Sequence, residues 1–313
     1  MRVKILVAYH RPAEIVRDEV YTPVLAGAAV RTAPTKEGGN HLDDGFLTQL
    51  AFTDEQGENV SSLNRRINEM SVIYWAWKNY ALLGDPDFVG FAHYRRFFVQ
   101  NEELELPKEK WLRNSEIYVY SDPEKFRAAI DSVLIGNALS GDQVLVPHRY
   151  AASQIVENSA LKCCKDRFVQ LMYGKKGELY DAMERLVLES RPDFRAEIEY
   201  MRTHTDHYVC NMFVMPKALF FDYCSFLFPI LFKLVELDHT ETDVDLMRAP
   251  GFLSEFLTSL YLASLVREGK IPVRRMKIAC WGVRLHGPLR RFVGGLVPVR
   301  FRRQLKRLLG VRG

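Results

Sequence analysis

Five cysteines in 313 residues, with no Cys-x-x-Cys pair among them, do not make a disulfide framework or a tetrahedral zinc site. Cys163 and Cys164 are adjacent, which reads most simply as two thiols in a reducing compartment. No apolar run reaches the roughly 20 residues that a membrane-crossing helix needs. The richest, Phe226 to Phe232, is confined between Asp222 and Lys233. Met1 to Lys4 opens directly into Ile5-Leu6-Val7-Ala8, too short for the core of a secretory leader and without a small-residue cleavage site. Internal repeats and low-complexity stretches are also missing. These absences point to a cytoplasmic protein. With 48% hydrophobic and 26% charged residues the composition is globular, and the length allows one large core or two small ones.

The net charge of +4 is unevenly spread. Arg284 to Gly313 holds nine basic residues and no acid, so the body before it is mildly acidic. In that tail Phe301, Leu305, Leu308 and Leu309 recur at helical spacing, with Arg300, Arg302, Arg303, Lys306 and Arg307 in the other positions. A basic amphipathic helix suits an anionic membrane surface. A solvated terminal helix is the plainer alternative, and the scarcity of aromatics argues against a stacking platform for nucleic acid. The chain therefore divides into a body, 1–283, and a basic tail, 284–313, that would hold it peripherally at the inner face of the cytoplasmic membrane.

Along the body, Val3 to Ala8 reads as a buried parallel strand ending in Tyr9-His10. Residues 31–46 are a turn-rich loop, and Asn64 to Tyr80 has a helical pattern stopped by Gly84-Asp85-Pro86-Asp87. Phe88 to Ala92 is a second apolar strand, Gln143 to Val146 a third and Met212 to Met215 a fourth. Helical patterns cover Gln154 to Tyr173, Gly177 to Leu188, Lys217 to Leu237 and Gly251 to Glu268. Strands alternating with helices predict an α/β sheet with helices on its faces.

The most informative stretch is Gly90-Phe91-Ala92-His93-Tyr94-Arg95-Arg96-Phe97-Phe98, where an apolar strand ends abruptly in a histidine, a tyrosine and two arginines. Ligands of open α/β sheets bind beyond the carboxyl ends of the strands. Two guanidiniums there suit a phosphate group, although an edge strand with solvated arginines would read the same way.

This stretch stands among others that together resemble a family of bacterial capsule and exopolysaccharide biosynthesis proteins of the GT-A glycosyltransferase type. They are Asn59-Val60-Ser61-Ser62-Leu63-Asn64, Glu69-Met70-Ser71, Tyr74-Trp75-Ala76-Trp77-Lys78-Asn79, the His-Tyr-Arg-Arg segment, Asn211 to Met215, and Gly251-Phe252-Leu253-Ser254-Glu255. The resemblance covers roughly residues 3 to 265. It implies a GT-A-like, Rossmann-like mixed sheet flanked by helices, with a helical C-terminal portion. It also implies transfer of a galactose or galactofuranose type of sugar from a UDP-sugar to a lipid-linked or polysaccharide acceptor.

Such an enzyme must bind a nucleoside diphosphate, offset the charge that grows on it and, if inverting, deprotonate the acceptor. Most GT-A enzymes place an Asp-x-Asp with a divalent ion at a strand's carboxyl end. Asp85-Pro86-Asp87 precedes its strand, and Asp243-Val244-Asp245 lies in a polar loop, so each reads as a turn or as a weaker metal site. His93-Tyr94-Arg95-Arg96 holds the expected position instead. Fixed cations can stabilise a developing oxyanion there, so Mn or Mg is not expected to be essential. Glu255 is the candidate base and Glu69 the alternative. Donor contacts are expected from His10, Asn59, Ser61, Asn64, Lys78, Asn79, His93, Tyr94, Arg95 and Arg96, and acceptor contacts from Trp75, His207, Asn211 and Glu255. A sugar-nucleotide hydrolase and a non-catalytic nucleotide- or glycan-binding module are the competing readings.

Overall fold

The strands, in chain order, are β1 (Val3–Tyr9), β2 (Tyr21–Leu25), β3 (Phe52–Thr53), β4 (Phe88–His93), β5 (Arg96–Phe98), β6 (Ile117–Tyr120), β7 (Val144–Pro147), β8 (Arg149–Ala151), β9 (Asp206–Tyr208), β10 (Phe213–Pro216), β11 (Val273–Met276) and β12 (Ile278–Trp281). The longer helices are α1 (Met70–Lys78), α2 (Pro123–Ala129), α3 (Cys164–Leu171), α4 (Gly177–Ser190), α5 (Arg195–Thr203), α6 (Lys217–Leu237) and α7 (Ala249–Glu268). This computed structural model describes residues 1–33, 42–110, 115–139, 143–151, 161–269 and 271–282. The basic tail with its apolar stripe, Phe301 to Leu309, lies outside the described residues, as does part of the loop over 31–46.

The main sheet runs β11-β7-β10-β4-β1-β2-β3, and β10 alone in that row is antiparallel to both neighbours. β1 and β4 read as unbroken apolar runs because both faces of the sheet are covered. Leu6, Ala8, Val89 and Phe91 join the layer containing α1 and α3 to α7, whereas Val3, Ile5, Val7, Phe88 and Ala92 join a second core with Phe126 of α2. Gly90 is required where β4 and β10 touch. A Cβ there would sit 2.7 Å from Val214 Cγ2 and 2.9 Å from the Phe213 carbonyl oxygen.

Several expectations change. The pattern from Asn64 to Tyr80 is one helix in sequence but three pieces in space. A single turn over Asn64–Ile67 is broken at Asn68, whose φ is 52°, before α1 begins, and a 3-10 turn over Tyr80–Leu83 follows α1. The helix expected from Gln154 begins at Cys164 among the described residues. β11 (Val-Arg-Arg-Met) carries charges because it is an edge strand, which hid it from periodicity.

Two helices are long and apolar enough to cross a membrane, Lys217–Leu237 and Leu246–Glu268, contrary to the expectation of none. Isolated charged residues such as Asp222, Lys233 and Glu255 interrupt the sequence run without shortening the helices. The second is 78% buried inside the fold and the first 50%, and aromatic contacts such as Tyr223–Tyr261 join them.

Candidate active site

Alternation along the two central strands aims the site. Leu6 and Ala8 on β1, and Val89 and Phe91 on β4, face the main helical layer, so His10 and His93 at the carboxyl ends face it too. Tyr94 and Arg95 form the tight turn into β5, which pairs Arg96 directly across from His93. The His10 ring meets the Tyr94 ring edge-on at 4.8 Å. The arginines are therefore not a loose strand end, because the hairpin sends Arg96 inward beside His93.

Glu69 reaches the same place through the break at Asn68. Asn64 Nδ2 donates to the Asn68 carbonyl oxygen at 2.7 Å and to Ser71 Oγ at 2.8 Å, and Ser71 Oγ donates to Asp54 at 2.6 Å. These bonds hold the turn that puts Glu69 ahead of α1. Glu69 Oε1 then accepts from Asn211 Nδ2 at 3.0 Å and lies 4.0 Å from His93 Nε2. Asn211 is buried and gripped by α7 as well. Its Nδ2 donates to Ser254 Oγ at 3.1 Å, and its Oδ1 accepts from Thr258 Oγ1 at 2.8 Å. The Cys210 carbonyl oxygen is hydrogen-bonded to His93 Nε2.

Cys210 and Asn211 are consecutive non-glycine residues at φ 71° and 49°, a left-handed conformation that costs of order 1–3 kcal/mol each and concentrates at functional sites. The strained pair aims one carbonyl at His93 and one amide at Glu69. α7 approaches closely enough to complete this arrangement because Gly251 has no side chain. A Cβ there would lie 2.3 Å from Asn68 Nδ2.

Glu255, on the second turn of α7, completes the cluster. Burial, and then the charge of Glu69, push its carboxyl up to about 7, against the pull of the Cys210 backbone, Arg96 and Arg167. Burial opposes the charge of Arg96, but Cys210, Cys280, Glu255 and Glu69 together raise its pKa. Burial lowers the pKa of His93, with Glu69 opposing. His10 keeps exposed surface, and its pKa is lowered by partial withdrawal from water and then by Arg11, while Glu69 resists. The result is a carboxyl able to take a proton near neutral pH, with the half-buried Arg96 cation close to it.

The sequence matches the family described as a domain of unknown function, DUF4422, over residues 4–266. The chain belongs to the DUF4422 family. No curated protein matches it. A solved structure does, that of the WbbM bifunctional glycosyltransferase in its apo form, at a TM-score of 0.74 and 24% identity. The match covers 90% of this chain and 46% of that one, so the DUF4422 chain spans about half the length of its solved neighbour. The likeness establishes the fold, a GT-A-like mixed α/β sheet flanked by helices.

Neither Asp-x-Asp of the sequence lies at the carboxyl end of β4. Asp85 and Asp87 lie at the amino end of β4, where Asp85 pairs with Lys217 at 2.5 Å and Asp87 accepts from the Arg2 amide at 2.6 Å. Asp243 Oδ1 accepts from the Asp245 amide at 3.0 Å, inside a turn. Among the described residues, no group of three His, Cys, Asp or Glu side chains could hold a metal.

Of the residues expected at the site, His10, Glu69, His93, Tyr94, Arg95, Arg96, Asn211 and Glu255 come together. The others do not. Trp75 has no exposed surface and packs on Phe52, so it is core and offers no ring to a sugar. Lys78 and Asn79 end α1, about 14 Å along the helix from Glu69. There Lys78 pairs with Glu58 at 3.2 Å and Asn79 Nδ2 donates to the carbonyls of Glu58 and Trp75. Asn59 Nδ2 closes its own loop onto Glu55 and Gly57. Ser61 is buried and donates to Asp54 at 2.5 Å, and Asn64 braces the Asn68 turn. His207 is buried and stacked on Phe256 at 4.7 Å.

Sequence reasoning missed Asp54, Arg167 and Arg248. Arg167 acts on Glu255, and Arg248 acts on His10 and donates to Asn68 Oδ1 at 2.9 Å. Nothing in their local pattern marks them, since each is one charged residue in an ordinary helical or turn context.

Proposed function

We propose that this protein is a glycosyltransferase of cell-surface polysaccharide synthesis, moving a sugar from a UDP-sugar to a lipid-linked or polysaccharide acceptor with inversion. The observation that carries the reading is Glu255, a carboxyl raised to about 7 by burial and by Glu69, with Arg96 of the β4–β5 hairpin acting on it. In this reading the acceptor hydroxyl gives its proton to Glu255 as its oxygen attacks the anomeric carbon. The bond from that carbon to the diphosphate oxygen breaks, and the leaving diphosphate keeps the electron pair. Arg95 opposes the charge that develops while Arg96 serves the carboxylates, so an added divalent ion is not essential. Glu69 keeps Glu255 basic, and Asn211 fixes Glu69.

The name of the solved neighbour supports the class of reaction, and the family resemblance favours a galactose or galactofuranose donor. The test is a panel of UDP- and GDP-sugars with and without EDTA, measuring thermal shift and nucleotide release. UDP-sugar turnover that depends on an acceptor and survives EDTA is expected. Release without an acceptor requirement would make the protein a hydrolase, and binding without release a non-catalytic module. Loss in EDTA with rescue by manganese would overturn the metal-independent step.

The basic stripe of residues 284–313 would hold the enzyme at the inner membrane face, each cation near the surface contributing on the order of 1 kcal/mol. Removing these residues should abolish sedimentation with anionic vesicles while leaving turnover of a soluble acceptor. Unchanged vesicle binding would remove that role.

A further inference from the structure

Above the carboxylates the site has a different character. Three arginines stand at its rim, delivered by three separate elements: Arg11 after β1, Arg95 in the β4–β5 turn, and Arg248 in the single turn before α7. Arg248 is exposed, and it is steadied by its Nε bond to Asn68 and by Phe252, whose ring centre is 5.3 Å from its guanidinium carbon. Arg95 lies over the Tyr94 ring at 4.9 Å, and that ring also meets His10. Arg11 is exposed and, like Arg248, places its charge on His10.

Among the described residues none of the three forms an ion pair, and the terminal nitrogens of Arg248 have no hydrogen-bond partner. Some arginines elsewhere are paired, as Arg127 with Glu14, Arg202 with Glu184 and Arg267 with Glu197. Arg96 differs from the rim arginines. It is directed into the floor, among Cys210, Cys280, Glu255 and Glu69, and is occupied there. Glu69 also acts on His10, but Asn211 and His93 engage it, and a polyvalent anion with several acceptor oxygens would satisfy the three guanidiniums through forked, charge-assisted hydrogen bonds.

We infer that Arg11, Arg95 and Arg248 form the binding site for the diphosphate of the nucleotide, while Arg96 serves the carboxylates beneath it. The choice of a nucleoside diphosphate rests on the glycosyltransferase reading. Polyvalent anion binding at the rim does not.

Calorimetric titration of the full chain with UDP, inorganic pyrophosphate and uridine tests the site. Arg248→Ala and Arg11→Glu should each weaken UDP and pyrophosphate at least tenfold, with uridine unaffected and melting temperatures near wild type. Arg11 makes no side-chain contact that the fold needs, so its variant reports on binding even if loss of the Asn68 bond disturbs the Arg248 variant. UDP affinity should fall with added salt, less steeply in the variants. Wild-type affinity for both anions in both variants would overturn the inference. If the variants bind weakly and no sugar is transferred by the wild type, the rim stands and the transferase reading fails. If transfer occurs and the variants bind as wild type, the reverse holds.

Discussion

Asp54 and Glu255 are both carboxylates taken out of water near the start of α1, yet the structure gives them opposite surroundings. Asp54 accepts from the Gly27 and Ala28 amides at 2.8 and 3.0 Å and from Ser61 and Ser71 hydroxyls at 2.5 and 2.6 Å. Its charge is fully shared, and it ties the end of β2 to the turn that carries Glu69. Glu255 has another carboxylate nearby and burial it cannot offset, so its proton affinity rises to about 7. Residue type does not separate a structural acid from a reactive one. The donors around it do.

The largest effect should come from Glu255→Gln, which keeps the shape and removes the base. Transfer should fall by about 10²–10⁴-fold, the usual worth of a positioned general base, with UDP affinity little changed. In the wild type kcat/KM should rise with pH through an apparent pKa of about 7. A flat profile from pH 5 to 9, or a variant with full activity, would move the base elsewhere.

Asp54→Ala should act on the fold instead. It strands two backbone amides and two hydroxyls, and we expect a loss of about 3 kcal/mol in denaturant unfolding. The activity that remains in the folded fraction should keep the wild-type pH profile. A shifted profile would place Asp54 in the chemistry and blur the contrast.

The smallest effect sharpens the contrast through stability. The folded-state pKa of Glu255 is raised from 4.5 to about 7, so the folded protein holds the proton more tightly than the unfolded chain. Stability is therefore lost as pH rises from 4.5 to 7. Glu255→Gln escapes that loss. It should match the wild type near pH 4.5 and exceed it above pH 7 by about 2 kcal/mol, discounted because the side chain keeps some surface in water. Equal unfolding free energies at pH 8 would show that Glu255 is ionised without cost.

Part of the candidate cluster was legible where chemistry and strand ends coincide. His10, His93 and the two arginines were marked by apolar runs that stop abruptly, and Glu255 and Asn211 by the family resemblance. The polar segments around Asn59, Ser61 and Asn64 misled, because a loop that satisfies its own backbone uses the same residue types as a sugar site. Trp75 misled as well. Helical spacing ranks faces relative to one another, but α1 is buried on every side through its first two turns.

By itself the chain determined the α/β class, the two central strands and the charge carried to their carboxyl ends, since these depend on local periodicity and on where apolar runs stop. Only the tertiary structure decided which charges meet. The break at Asn68, the left-handed pair Cys210-Asn211 and the approach permitted by Gly251 bring Glu69, His93, Arg96 and Glu255 together from segments far apart in sequence. A carboxylate's proton affinity is set by neighbours across space and by exclusion of water, neither of which is written in local sequence.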